Sequence, residues 1–259
     1  MPIFVVSDLH GAADDLTKAI PEGSTLLLLG DLINLLDYTS MSGILTEIFS
    51  VEAVAEVSRL RAAGEVERAR DVIHERTRGR EEEVRREMRR LTREQYETVF
   101  AALPDPTYLI LGNVDQPPLA RALAESTPAT RLVDGRVVTL DGERFGFVGG
   151  ALPTPLHVAG EVGEDEMRAT IDGLGEVDVL CSHIPPAIPE LCYDTVAGRA
   201  ERGSEDLLRY IEDVQPRRAY FGHVHQPLVS SLRIGRTLCV NTGYFRATRR
   251  AFPHHGRAT

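Results

Sequence analysis

Five predicted strands of this sequence are each followed by polar side chains of the types that bind metal ions. Short apolar runs at residues 2–7, 25–29, 107–111, 177–181 and 219–221 have the length and composition of buried strands. The side chains that follow them are Asp8 and His10, Asp31, Asn113, His183, and His223 and His225. In open α/β sheets the ligand site lies at the carboxyl ends of the strands, so we expect these side chains to converge there.

The donor set favours a transition-metal centre over a calcium site or a structural zinc site. It combines carboxylate and amide oxygens with four imidazoles and no thiolate, a mixture that Mn, Fe, Zn and Ni accept. Each motif alone is weak, but four of the eight histidines fall at these strand ends, which argues against coincidence. Seven ligands suit two ions that share a bridging carboxylate. Two ions about 3.5–4 Å apart clamp a phosphoryl group and hold a bridging hydroxide for in-line attack at phosphorus.

The elements around these strands alternate between strand and helix. Residues 2–29 give strand, helix and strand signals in turn, which indicates a βαβ unit and a parallel sheet. Residues 229–234 and 237–240 flank a Gly-Arg pair and predict a hairpin. We therefore expect an α/β fold with a single domain over residues 1–245. The basic residues 246–259, rich in small side chains, are expected to form a flexible tail.

Residues 42–103 interrupt this alternation with a composition typical of helices. The segment has no proline, and its glycines predict breaks near Gly64 and Gly79 between two or three helices. Residues 52–97 contain twelve acidic residues and twelve arginines, so this part is neutral and favours a solvated helical surface. A cap over the site or a homodimer arm is the alternative. Residues 76–93 hold eight arginines and four glutamates and are locally basic.

Composition excludes several classes of protein. The chain has 259 residues, 42% of them hydrophobic, and a net charge of −10. These values exclude a disordered chain, and the acidic balance argues against a general nucleic-acid binder. No apolar run approaches the ~18–20 residues of a membrane span, and the first residues lack the pattern of a signal peptide. We expect a cytoplasmic protein that does not engage a membrane.

As an ordered set, the strand-end motifs resemble those of the calcineurin-like metallophosphoesterases. The resemblance covers roughly residues 1–40 and 105–245. The motifs that carry it are Asp8-Leu9-His10, Gly30-Asp31-Leu32-Ile33-Asn34, Gly112-Asn113-Val114-Asp115, Ser182-His183 and Gly222-His223-Val224-His225. It implies a four-layer αββα sandwich of two mixed β-sheets flanked by helices, with residues 42–103 as a helical insertion.

The resemblance also implies a role for each ligand. Asp8, His10 and His225 would hold the first metal ion. Asn113, His183 and His223 would hold the second, and Asp31 would bridge the two. Asp31, Asn113 and His183 are accordingly the expected catalytic residues, acting as ligands of two divalent ions, of which manganese is the leading candidate. The expected partner is a small phosphoester.

One departure from the family pattern bears on the substrate. Family phosphatases usually carry histidine in the third motif, where it protonates the leaving group or contacts the phosphate, and this chain has Val114. A positioned general acid is typically worth about 10²–10⁴-fold in rate. Because Val114 cannot act as one, we expect a phosphodiesterase rather than a phosphomonoesterase. Asp115 would ordinarily orient that histidine. Asn34, Asp115 and His157 are the candidate substrate-binding residues, with His157 or an arginine of 42–103 as the substitute acid.

Two other functions stay open at the level of sequence. The first is a phosphomonoesterase acting on a nucleotide, a sugar phosphate or a phosphoprotein, with another group supplying the proton; a nuclease is less consistent with the acidic charge. The second is a metal-binding scaffold without catalysis, although every ligand position is filled. Turnover of phosphoester substrates discriminates between these functions.

Overall fold

The computed structural model describes residues 1–37, 39–154 and 158–256, without the side chain of Ala62. The chain divides into two compact units. The first comprises Met1–Leu32 and Thr98–Thr259, and the second comprises Ile33–Glu97. In the described residues no helix is both long and apolar enough to cross a membrane.

Two mixed sheets dominate the first unit. The strands of the smaller sheet are β1 (Ile3–Val6), β2 (Thr25–Leu29), β3 (Thr107–Ile110), β4 (Thr130–Leu132) and β13 (Phe252–His254). Its order is β13-β1-β2-β3-β4, and only β13 runs antiparallel to its neighbour. The strands of the larger sheet are β5 (Val137–Leu140), β6 (Glu143–Val148), β7 (Val179–Ser182), β10 (Arg218–Phe221), β11 (Ser231–Ile234) and β12 (Thr237–Asn241). Its order is β11-β12-β10-β7-β6-β5, with antiparallel strands at both edges.

The predicted hairpin is confirmed, since β11 and β12 pair antiparallel. A small two-stranded ribbon, β8 (Tyr193–Asp194) and β9 (Arg199–Ala200), was not apparent in the sequence pattern. The helices of the first unit are α1 (Ala13–Ala19), α6 (Pro117–Ser126), α7 (Glu164–Asp172), α8 (Pro189–Cys192), α9 (Glu205–Val214) and α10 (Phe245–Thr248).

The core lies between the sheets and beneath the helices. One apolar cluster draws on both sheets, and it includes Ile3, Leu27, Leu29, Ile110, Phe145, Phe147 and Tyr220. A second cluster lies between the larger sheet and helices α7 and α9, and it includes Met167, Ile171, Leu180, Leu207, Ile211 and Phe221. Alternate residues of a strand face opposite sides, so the continuous apolar runs of the sequence match strands covered on both faces. The predicted α/β fold of two mixed sheets flanked by helices is confirmed.

The second unit is helical. Its helices are α2 (Ile44–Phe49), α3 (Val51–Ala62), α4 (Val66–Thr77) and most of α5 (Glu81–Ala102). The breaks fall at Gly64 and Gly79, both with φ +76°, and at Ser50, with φ +69°. The first two were predicted, because glycine adopts positive φ without steric cost. Ser50 adds a fourth helix to the two or three expected. Its side chain accepts a bond from the Ala53 amide at the start of α3.

The arginines of the second unit form exposed ion pairs with nearby glutamates. Arg80 pairs with Glu83 at 2.9 Å, and Glu82 pairs with Arg85 at 3.5 Å and with Arg89 at 3.1 Å. More than half of each of these side chains is exposed. Such pairs contribute about 0–1 kcal/mol each, so they keep this surface solvated rather than hold it together.

The expected flexible tail is instead partly built into the smaller sheet. Strand β13 pairs antiparallel with β1. The side chain of His254 is buried, and its Nε2 lies 3.1 Å from a Glu143 carboxylate oxygen while its Nδ1 lies 3.0 Å from the Tyr220 hydroxyl. Arg217 donates from Nε to the other Glu143 oxygen at 3.1 Å. These long-range bonds order residues of the tail, although its local sequence is basic and rich in small side chains. Residues 257–259 lie outside the described residues.

Candidate metal centre

The predicted ligands lie at the carboxyl ends of five parallel strands. Asp8 and His10 follow β1, Asp31 follows β2 and Asn113 follows β3 in the smaller sheet. His183 follows β7, and His223 and His225 follow β10 in the larger sheet. The side chains meet there in two groups. We name Asp8, His10 and His225 the first cluster, and Asn113, His183 and His223 the second cluster.

In the first cluster three donor atoms face a common point. One ligand atom from each of Asp8, His10 and His225 lies within 4.8 Å of the others. The two Nε2 atoms of His10 and His225 are 3.2 Å apart, and His225 Nε2 lies 3.7 Å from Asp8 Oδ1. Asp8 and His10 are buried, whereas His225 is partly exposed.

The second cluster has the donor arrangement that a cation needs, because the lone pairs of its nitrogen and oxygen atoms face one another. His183 Nδ1 lies 2.8 Å from the Leu29 carbonyl oxygen, which assigns the proton of the neutral ring to Nδ1. Nε2 then presents a lone pair to Asn113 Oδ1 at 3.0 Å and to Asp31 Oδ1 at 3.5 Å. A divalent cation would satisfy all three atoms. A ligating histidine commonly donates its other N–H to a backbone carbonyl, as His183 does.

Asp31 lies between the clusters and turns one oxygen to each. Its Oδ2 lies 3.6 Å from His10 Nε2, and its Oδ1 lies 3.5 Å from His183 Nε2. It also forms a three-member group with His183 and His223 in which donor atoms lie within 4.8 Å of one another. Asp31 therefore offers one carboxylate oxygen to each cluster.

The protonation states of Asp8 and His223 suit cation binding. Burial raises the pKa of Asp8, but the hydrogen bond and charge of His225 outweigh it and hold that pKa below its ordinary value. Burial, reinforced by His183, lowers the pKa of His223 to about 4. Burial also lowers the pKa of His225, yet the bond to Asp8 raises it overall. At neutral pH Asp8 is therefore a carboxylate and His223 is a neutral imidazole, and these are the forms that bind metals.

Four of the candidate ligands have a left-handed backbone, which residues other than glycine rarely adopt. The φ angles are +53° at Asp8, +41° at His10, +53° at Asp31 and +67° at His223. Such conformations cost on the order of 1–3 kcal/mol each and cluster at functional sites. Neighbouring bonds hold them, among them His10 N–H to the Asp31 carbonyl at 2.8 Å and His223 N–H to the Asp8 carboxylate at 2.9 Å.

Comparison with known proteins agrees with this geometry. The sequence profile of the calcineurin-like phosphoesterases matches residues 1–227. The chain belongs to the calcineurin-like phosphoesterase family. Membership indicates a phosphoesterase hydrolase, and the two clusters indicate two divalent metal ions. One solved crystal structure is similar in fold, with a TM-score of 0.55 and 17% identity over 95% of this chain and 92% of the other. No curated protein matches the sequence.

In this calcineurin-like phosphoesterase, Asp115 lies in the interior and binds backbone amides, which differs from the substrate-binding role predicted for it. Its carboxylate is fully buried, and it accepts backbone N–H bonds from Asp31 at 2.9 Å, Leu32 at 3.0 Å and Gly112 at 2.8 Å. Asp115 therefore fixes the two loops that follow β2 and β3. A buried carboxylate with backbone donors around it is a positioning group rather than a surface for substrate.

Replacing Asp115 by asparagine should destabilise the fold. The amide NH₂ would face a backbone donor, and leaving buried N–H groups without an acceptor costs about 1–3 kcal/mol each. We expect the midpoint of thermal unfolding to fall by about 5–10 °C for a loss of about 2–3 kcal/mol. Asp165→Asn, at a side chain 99% exposed, is the matched control. An unchanged midpoint for Asp115→Asn would show that the three bonds contribute little.

The two other predicted substrate residues are Asn34 and His157. Asn34 lies in the second unit, where its Nδ2 donates to the Ser42 carbonyl at 3.3 Å and its backbone N–H donates to Gln95 at 2.7 Å. These bonds give Asn34 a structural role within the second unit. His157 lies outside the described residues. Both stay predictions as substrate contacts.

A side chain at the end of β12 supports the last motif. Asn241, at the end of β12, donates from Nδ2 to the Val224 carbonyl at 2.9 Å and accepts from the Gly243 amide at 2.9 Å. It thereby fixes the turn that carries His223 and His225.

Proposed function

We propose that this protein hydrolyses phosphodiesters with two divalent ions, manganese being the leading candidate, held by the two clusters and shared through Asp31. The position of Asp31, with one oxygen toward each cluster, carries the proposal. Two bound divalent ions would offset charge on a phosphoryl group and lower the pKa of a water for attack at phosphorus. The mixed nitrogen and oxygen donors are of the kind that manganese accepts.

Neighbouring residues hold and orient the candidate ligands. The Leu29 carbonyl fixes the ring of His183, and Asp115 fixes the backbone of Asp31 through a bond of 2.9 Å. The Val114 amide donates to Asp31 Oδ1 at 3.1 Å and so orients the shared carboxylate. Preorganised groups of this kind need not rearrange when charge develops on the phosphoryl group.

Val114 supports the choice of a diester. Its amide bonds to Asp31, so residue 114 lies beside the shared ligand, and its aliphatic side chain neither donates a hydrogen bond nor releases a proton. A monoester dianion carries one more negative charge than a diester, so a hydrogen-bond donor at this position would stabilise its transition state more. A site with valine here should therefore prefer the diester.

Hydrolysis of p-nitrophenyl phosphodiester and monoester by metal-stripped protein tests the proposal. We expect turnover to return when Mn²⁺ is added and to be faster on the diester. A preference for the monoester would contradict the diester assignment and point to another proton donor. Stoichiometric metal without turnover of either ester would favour a scaffold.

Substituting Val114 with histidine should shift the preference toward monoesters. An imidazole beside the shared carboxylate could donate to the phosphoryl group or to the leaving oxygen. We expect the ratio of monoester to diester kcat/KM to rise by about tenfold or more, which is less than the ~10²–10⁴-fold of an optimally positioned acid. Val114→Ala is the control for loss of the valine alone. A ratio that rises equally in both variants, or in neither, would contradict this explanation.

A further inference from the structure

The segment that follows β12 lies across the first cluster. The ring of Tyr244 stacks on the imidazole of His225, with centroids 3.9 Å apart and planes 7° from parallel. The same ring meets His10 edge to face, at 5.5 Å and 85°. Tyr244 is only 5% exposed. One face of His225 is therefore covered by a phenol ring that also touches the second histidine of the cluster.

Backbone bonds tie the same segment to the strand end that carries the other ligands. The Phe245 amide donates to the Ser7 carbonyl at 3.2 Å, and the Arg246 amide donates to the Asp8 carbonyl at 3.3 Å. The Arg246 guanidinium donates from Nη1 to the His10 carbonyl at 2.8 Å. Ring and backbone contacts thus connect the segment to all three ligands of the first cluster.

The second cluster is supported by different groups. His183 is oriented by the Leu29 carbonyl, and the rings of His183 and His223 meet each other edge to face at 5.2 Å. The Asp115 carboxylate holds the backbone beside Asn113 through Gly112. A change at Tyr244 should therefore reach one cluster and not the other.

We propose that Tyr244 is a positioning residue that strengthens ion binding by the first cluster alone. A divalent ion withdraws electron density from an imidazole that binds it, and the electron-rich face of a phenol ring stabilises the ring that results. The stack also holds His225 in one orientation before the ion arrives, so less freedom is lost on binding. The inference rests on the proposed two-ion site.

Mn²⁺ titration in two single-cluster backgrounds tests the inference. His223→Ala weakens the second cluster and leaves the first, while His10→Ala does the reverse; both residues have left-handed backbone, so the two substitutions are matched. We expect Tyr244→Leu to weaken Mn²⁺ binding about tenfold in the His223→Ala protein, the size of effect typical of groups that orient metal ligands. In the His10→Ala protein it should leave the dissociation constant unchanged.

Two further variants separate stacking from other effects. Tyr244→Phe keeps the ring and should bind Mn²⁺ as tightly as its parent, whereas Tyr193→Leu removes a tyrosine that is 39% exposed and should change nothing. Equal weakening in both backgrounds, no weakening in either, or a Phe variant as weak as the Leu variant would overturn the inference. If neither background binds Mn²⁺, the two-ion site itself fails, a result distinct from failure of Tyr244 alone.

Discussion

Replacing Asp31 by asparagine is expected to lower metal-dependent turnover about a thousandfold, equivalent to roughly 4 kcal/mol of transition-state stabilisation. Each carboxylate oxygen of Asp31 faces one cluster, at 3.6 Å from His10 Nε2 and 3.5 Å from His183 Nε2. Asparagine keeps the shape and one oxygen but replaces the other oxygen by a donor without charge. At least one ion should then bind far more weakly.

The measurement is kcat/KM on a p-nitrophenyl diester together with the metal content of the purified variant. Asp14→Asn makes the same chemical change on the exposed first turn of α1 and should leave both quantities unchanged. If Asp31→Asn kept two ions and most of its turnover, Asp31 would not be the shared ligand.

Substituting Gly112 with alanine is expected to damage the site through steric overlap. A Cβ at this position would overlap the Asp31 carboxylate, and it would lie 2.5 Å from the Asp31 amide nitrogen and 2.6 Å from His183 Cε1. Backbone and a fully buried ring cannot move aside at low cost. We expect about a hundredfold loss of turnover, since displacement of reacting groups by about 1 Å can cost that much.

Gly163 offers the control, because a Cβ there meets no atom within 4 Å and its φ is −64°. Gly163→Ala should leave diester turnover and thermal stability close to those of the parent. Gly112→Ala should also lose about 1–3 kcal/mol of stability, as overpacked substitutions do. Full activity in Gly112→Ala would mean that the two strand-end loops are less tightly apposed than the structure has them.

The positions of the candidate ligands could be predicted because local patterns specify them. Residues 26–29 are four leucines, and Asp31 follows them after one glycine, so the strand end and the carboxylate are visible together. The rule that parallel strands present their carboxyl ends at one edge then brings distant positions together. No pairwise contact had to be known in advance.

The groups that support the ligands could not be predicted in this way, because their partners are distant in sequence. Asp115 accepts a bond from the amide of Asp31, 84 residues earlier, and the buried pair of Glu143 and His254 spans 111 residues. The second pair orders β13 although Pro253 lies within it, which is tolerated at the edge of a sheet. The stack of Tyr244 on His225 has no local signal, since a tyrosine after a strand is ordinary.

The break at Ser50 was missed for a related reason. Glycine marks the breaks at residues 64 and 79, whereas serine is uncommon at positive φ and gave no sign of one. The structure shows a serine that ends α2 and begins α3, with a side chain that accepts from the Ala53 amide. A capping side chain can therefore separate two helices where composition predicts one.

Counting bound ions against turnover tests the central claim most directly. Stripped protein would receive Mn²⁺ in increments, with bound metal per chain and hydrolysis of a p-nitrophenyl diester measured at each step. The two-cluster site predicts that the stripped protein is inactive, that binding saturates at two ions per chain and that turnover rises with the second ion. Full turnover without metal, or saturation at one ion with full turnover, would contradict it.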